Sequence, residues 1–181
     1  MSRSGVICSL YGTLGLAAIA WGMLRGSADL YRLPGISTPS RLVVSPIVGV
    51  ALGLLVVFLS RLATHRLEWA RVLHMEFHAV VHELTSKELL LLAVASSVGE
   101  ELFFRGALLP AVGLWPQAAL FALLHVRLKA RFLPWTLMSF VIGAGLGQLY
   151  LLLGDLGGPI AAHFTINFIN LNYIARTGLR T

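Results

Sequence analysis

Residues 42–60 read LVVSPIVGVALGLLVVFLS, nineteen residues without an ionisable side chain, bounded by Arg41 and Arg61. As a helix rising ~1.5 Å per residue, this run is about as long as the ~30 Å hydrocarbon core of a bilayer is thick. Comparable apolar runs recur on either side of it. They cover Gly5–Leu24, Glu88–Gly113, Leu114–His125, Trp135–Leu153 and Ile160–Ala175, with short polar links between. Composition agrees: 57% of the 181 residues are hydrophobic, 12% are charged, and mean hydropathy is +0.81. Soluble domains carry about twice that share of charge. The expected fold is all-α, a polytopic integral membrane protein of about six transmembrane helices plus one amphipathic interfacial helix.

The expected organisation is one membrane domain in three parts. Residues 1–60 form two N-terminal transmembrane helices, 61–87 an amphipathic surface helix, and 88–175 a four-helix core. No internal repeat is visible. The first apolar run lacks a small-residue cleavage site, so a cleaved signal peptide is not expected. The single cysteine, Cys8, closes no intrachain disulfide.

The net charge of +6 does not point to nucleic acid, because the basic residues lie between apolar runs instead of on one face. With a cytoplasmic N-terminus, ten Lys and Arg fall in inside segments, among them the run Arg127, Lys129, Arg131 and the tail residues Arg176 and Arg180. Three fall outside: Arg25, Arg32 and Arg41. That bias places both termini in the cytoplasm.

In 61–87, helical spacing puts Trp69, Leu73, Phe77, Val80 and Leu84 on one face and Arg71, His74, His78 and His82 on the other. This is the pattern of a helix lying in the headgroup layer with a solvated polar face. Metal chelation by the histidines is the alternative. His82-Glu83 opens an H-E-x-x-H pattern that Ser86 breaks, so a zincin site is absent. Gly49-x-x-x-Gly53 and Gly143-x-x-x-Gly147 are spacings that let helices approach closely.

Ionisable groups inside apolar runs cost at least ~2.5–3.5 kcal/mol each at the bilayer centre, so each marks a functional-site hypothesis. The third run holds Glu100, Glu101 and Arg105, the fourth His125, and the sixth His163 and Asn167. Glu101 and Arg105 are one turn apart and can pair. Glu100 is turned away from them and lacks a local partner. Phe121, one turn before His125, can shield that imidazole. Counted from the outer ends of the spans, Glu100, His125 and Asn167 lie at overlapping depths of roughly 10–20 Å. One buried site nearer the outer leaflet is therefore possible.

These residues resemble a known family. Glu100-Glu101-Leu102-Phe103-Phe104-Arg105 matches E-E-x-x-x-R, Phe121-Ala122-Leu123-Leu124-His125 matches F-x-x-x-H, and His163-Phe164-Thr165-Ile166-Asn167 matches H-x-x-x-N. Those are the motifs of the CPBP (Abi) family, the CAAX prenyl endopeptidase and bacteriocin-processing intramembrane proteases. The resemblance covers residues 88–175.

It implies hydrolysis of a peptide bond near the C-terminus of a membrane-associated or lipidated peptide. Glu100 would be the general base and His125 its partner in activating water. His163 and Asn167 would receive the oxyanion, and Glu101 and Arg105 would form a structural ion pair. The chemistry fits: burial raises a carboxylate toward useful basicity, and His and Asn donate well where water is scarce. A metal-free, glutamic-type mechanism is expected. Zinc held by Glu100, His125 and His163, with an open fourth position, is the alternative.

The expected partners are membrane lipid and a membrane-anchored or prenylated substrate, in a bacterial inner membrane. A noncatalytic membrane interaction protein of the same fold and a proton-coupled transporter are the other functional classes. No G-x-S-x-G elbow is present, and Gly154-Asp155 lacks the preceding glycine of a G-x-G-D aspartyl site.

Overall fold

The structure, a computed structural model, describes residues 2–27, 29–35, 39–126 and 130–178. It is all-helical, 86% helical with no strand among the described residues. Helix α1 (Arg3–Leu24) starts where the Ser2 hydroxyl accepts from the Gly5 amide. Helix α2 (Pro39–Arg66) has 28 residues and runs six past the expected end at Ser60. At ~42 Å it is longer than the hydrocarbon core is thick.

Leu67, in extended conformation, breaks the chain before α3 (Glu68–Val81), which is shorter than the expected 61–87. A Thr85–Glu88 capping box opens α4 (Ser86–Glu101). The same rod continues through a π-helical turn, Leu102–Leu108, in which the Leu109 amide reaches back to the Phe104 carbonyl, and ends as α5 (Leu109–Val112). Gly113, at φ +86°, turns the chain into α6 (Leu114–Leu124). A 3₁₀ turn, Ala130–Phe132, leads to α7 (Leu133–Leu153), which stops at the left-handed Gly154. Helix α8 (Gly157–Arg176) follows.

Among the described residues three helices are long and apolar enough to cross a membrane: Arg3–Leu24, Ser40–Arg66 and Leu133–Leu153. The expected six are not reached on that criterion: α4 has 16 residues before the π turn interrupts it, and two further helices fall short. Helix α6 has 11 residues, ~16 Å, about half the core. Helix α8 carries His163, Asn167, Asn170 and Asn172 among its apolar residues.

Both glycine pairs mark close helix crossings. A Cβ on Gly49 would stand 2.1 Å from the Gly158 carbonyl oxygen, and one on Gly53 2.8 Å from that of Ala162, so α2 and α8 pack nearly backbone to backbone. On α7, a Cβ on Gly143 would meet Phe121 and one on Gly147 would meet Leu114 and Gln117, which brings in α6. Two tethers show which helix ends lie together. Arg3 pairs with Glu83, joining the start of α1 to the α3–α4 turn. At the other end Leu33 donates to Gly154 and Leu156 to Tyr31, holding the α1–α2 connector against the α7–α8 turn.

The histidine face of α3 is not the solvated face the periodicity suggests. His74 Nε2 donates to the Thr177 carbonyl at 2.7 Å, and His78 Nδ1 to that of Ile174 at 2.6 Å. The last carbonyls of a helix have no partner within it and carry its negative dipole end. The face therefore docks on the end of α8. His74 is buried, while Arg71 and His82 stay exposed. Of the expected basic run, Arg127 and Lys129 lie outside the described residues, as does Arg180.

Candidate active site

The end of α4 supplies Glu100 and Glu101, the π turn Arg105, α6 Gln117 and Phe121 with His125 as its cap, α7 the Gly143 carbonyl, and α8 His163 and Asn167. Glu101 and Arg105 are both fully buried and paired, Nη1 to Oε1 at 2.9 Å. Arg105 Nη2 donates to the Gly143 carbonyl at 3.1 Å. The guanidinium also lies 4.6 Å from the centre of the Phe121 ring, within the range of a cation–π contact. The expected ion pair is present, then, with two further anchors on α6 and α7.

Glu101 has a second task. Its Oε1 also accepts from His163 Nδ1 at 2.7 Å. A carboxylate oxygen cannot donate, so Nδ1 carries a proton, and a neutral imidazole held this way would have its lone pair on Nε2. That Nε2 stands 4.0 Å from Glu100 Oε2. Glu100 is buried, and its Oε2 has no hydrogen-bond partner. Glu100 Oε2 and His163 Nε2 thus face each other across a gap too long for a direct hydrogen bond and short enough for one water to touch both.

His125 is placed differently. Its Nδ1 donates to the Phe121 carbonyl at 2.8 Å, and its ring lies 4.5 Å from that of Phe121 and 6.3 Å from that of Trp135. Phe121 shields it, as its position one turn earlier suggested, and also contacts the His163 ring at 6.3 Å. Among the described residues no hydrogen bond or ion pair joins His125 to Glu100.

The depth estimate fails here for a definite reason. Helix α6 starts beside Gly147, six residues or ~9 Å inside the end of α7, so depths counted from its start come out too shallow. The Gly143 anchor lies ten residues from either end of α7, at its middle. The site is thus level with the middle of that helix.

Asn167 Nδ2 donates to Ser96 Oγ at 3.0 Å, and no hydrogen bond links it to His163. The zinc alternative finds no gathered donor set: among the described residues no three His, Cys, Asp or Glu side chains stand together as ligands. The α3 histidines do not form such a set either. No step below is routed through a metal.

Two site residues escape a sequence reading. Gln117 is fully buried, and its Nε2 donates to the same Gly143 carbonyl at 3.1 Å. Ser96 is the acceptor for Asn167. The available signal was spacing: Gln117 is one turn before Phe121 and Ser96 one turn before Glu100, each on a motif-bearing face.

Comparison with known proteins fits this geometry. Residues 84–169 match the family model described as type II CAAX prenyl endopeptidase Rce1-like. A curated relative, the uncharacterized protein YpbD of Bacillus subtilis (strain 168), is 33% identical over 81 residues. That alignment covers 45% of this chain and 42% of the relative, so the chain matches less than half of YpbD's length. No solved structure matches. The matched residues 84–169 hold every side chain of the buried cluster, so the likeness to the Rce1-like CAAX prenyl endopeptidase family, in agreement with the CPBP motifs, falls on the site itself.

Proposed function

We propose that this protein is an intramembrane endopeptidase that cuts a peptide bond near the C-terminus of a membrane-anchored peptide, using water activated by Glu100. The observation that carries the reading is the 4.0 Å gap between Glu100 Oε2, buried without a hydrogen-bond partner, and His163 Nε2, which we read as the lone-pair nitrogen of a neutral imidazole. A water in that gap gives one proton to each acceptor and turns its oxygen lone pairs away from both.

When the substrate carbonyl arrives, Glu100 takes a proton from the water and the resulting hydroxide adds to the carbonyl carbon. The negative charge moves to the carbonyl oxygen. Asn167 has a second Nδ2 proton besides the one given to Ser96, and donates it to that oxyanion. Collapse breaks the C–N bond, and the proton held by Glu100 passes to the leaving amine. Glu101, anchored by Arg105, keeps His163 in the tautomer that leaves Nε2 free to accept. His125, with Nδ1 committed to the Phe121 carbonyl, keeps Nε2 for the scissile peptide or the water once a substrate fills the site.

We read the chain as crossing the membrane six times, with both termini in the cytoplasm. The two tethers support this arrangement, because they put the connectors at alternate ends. The Bacillus relative supports a bacterial cell membrane. The substrate class follows from the family: a peptide held at the membrane by a prenyl or other lipid group, or by its own apolar segment.

The test is cleavage of two peptides in proteoliposomes, one ending in a prenylated cysteine plus a tripeptide and one unmodified. Wild type is expected to release a C-terminal fragment that Glu100→Gln does not. Equal release by both proteins would end the proposal.

A further inference from the structure

We infer that Gln117, together with the Gly143–Gly147 step of α7, is a positioning relay that holds His163 in its reactive tautomer through Arg105 and Glu101. The inference rests on the reading above. It concerns a residue outside the three motifs.

The Gly143 carbonyl lies in mid-helix, where a carbonyl is ordinarily committed to the amide four residues on and covered by side chains. Helical side chains lean toward the N-terminus and lie over the preceding turn. Residue 147 would cover this carbonyl, and it is glycine. Into the space so opened comes the Gln117 amide: a Cβ on Gly147 would stand 2.8 Å from Gln117 Nε2. Gln117 Nε2 and Arg105 Nη2 then both donate to the Gly143 oxygen, each at 3.1 Å. From Arg105 the line runs to Glu101 Oε1 at 2.9 Å and on to His163 Nδ1 at 2.7 Å.

Gln117 sets where the guanidinium rests. With two donors sharing one carbonyl, neither side-chain bond is as strong as it would be alone, and Arg105 stays within reach of Glu101. Without the Gln117 donor, the Gly143 oxygen draws Arg105 toward α7. The Glu101–His163 bond then loses its fixed geometry.

Packing alone does not account for an amide here. A methionine would fill the same volume without leaving a buried carbonyl oxygen unpartnered, and Gln117 Oε1 is buried without a partner. Retaining an unsatisfied polar atom makes sense where the other end of the amide has a task.

The experiment compares Gln117→Met, which keeps volume and removes the donor, with Gln117→Glu, whose carboxylate, beside the Arg105 guanidinium, competes with Glu101 for it. Two readouts are taken on full-length protein in micelles. The first is the ¹⁵N spectrum of the imidazoles, with His163 assigned by its loss in His163→Asn. The second is cleavage kinetics on the peptides described above.

Gln117→Met is expected to lower the Nδ1–H fraction of His163 and to reduce kcat on the order of 10–100-fold, the range of a small misplacement of a catalytic group, with KM within about twofold. Gln117→Glu is expected to lower both as well, because it draws Arg105 away from Glu101. Should Gln117→Met fail to accumulate in the membrane, Gly147→Ala displaces the same amide and should move the same ¹⁵N signal. An unchanged His163 tautomer in Gln117→Met or in Gln117→Glu overturns the relay. The ¹⁵N readout needs no substrate, so it can support the relay even if wild type cleaves nothing, which would instead count against the proposed activity.

Discussion

Removing Arg105 should unfold this protein more readily than removing any other single side chain of the site. Arg105 and Glu101 are both inaccessible to solvent, and their 2.9 Å contact is the local neutralisation of a buried carboxylate. Arg105→Met fills most of the volume, so packing loss is small. Glu101 is left charged with His163 as its remaining partner, the Gly143 carbonyl loses a donor, and the Phe121 ring loses its cation. Breaking a buried pair from one side costs about 3–5 kcal/mol.

Glu101→Gln should be costly for the mirror reason, stranding the guanidinium. The double variant should cost at least ~2 kcal/mol less than the two singles together, because neither charge is then left alone. The assay is reversible unfolding in mixed micelles with increasing SDS fraction, followed by fluorescence of the four tryptophans. Arg105→Met within about 1 kcal/mol of wild type, or singles that add to within ~0.5 kcal/mol, would refute the neutralisation argument.

Three further outcomes are expected. Glu100→Gln should leave unfolding unchanged or slightly harder, since Oε2 has no partner to lose, while cleavage falls by about 10²–10⁴-fold; a parallel loss of stability would mean that Glu100 is structural. Gly49→Ala should destabilise by ~1–3 kcal/mol or more through overpacking against the Gly158 carbonyl, whereas Gly145→Ala, with no heavy atom within 4 Å of its new methyl, should stabilise α7 by roughly 0.5–1 kcal/mol; the same unfolding assay reads both. His74→Ala and His78→Ala should speed amide hydrogen exchange in the last turn of α8, whose carbonyls they bind, while His82→Ala should not.

Much of this arrangement is legible in the sequence because it depends on spacing along one helix. The Glu101–Arg105 pair and the Phe121–His125 stack are both one-turn relations, and both stand in the structure. The Gly49 and Gly53 step predicts a close crossing, and α8 fills it.

What sequence does not show is the axial offset of one helix against another. Helix α6 begins ~9 Å inside the end of α7, which sets His125 at the level of Trp135. Nor does amphipathicity reveal what a polar face meets: the α3 histidines have the periodicity of a solvated stripe and instead bind the carbonyls that end α8. Glu101 reads as scaffold from its i,i+4 partner alone. Its bond to His163 crosses 62 positions and appears only when α8 is packed on α4.

The central claim is that the unpartnered Glu100 carboxylate activates water for peptide hydrolysis within the membrane. Its most direct measurement is mass spectrometry of membrane peptides from cells producing wild type or Glu100→Gln at equal levels, grown in H₂¹⁸O-enriched medium. A C-terminally trimmed membrane peptide, carrying ¹⁸O at its new carboxylate and present with wild type alone, is the predicted result. Identical peptide sets from the two strains would contradict the account.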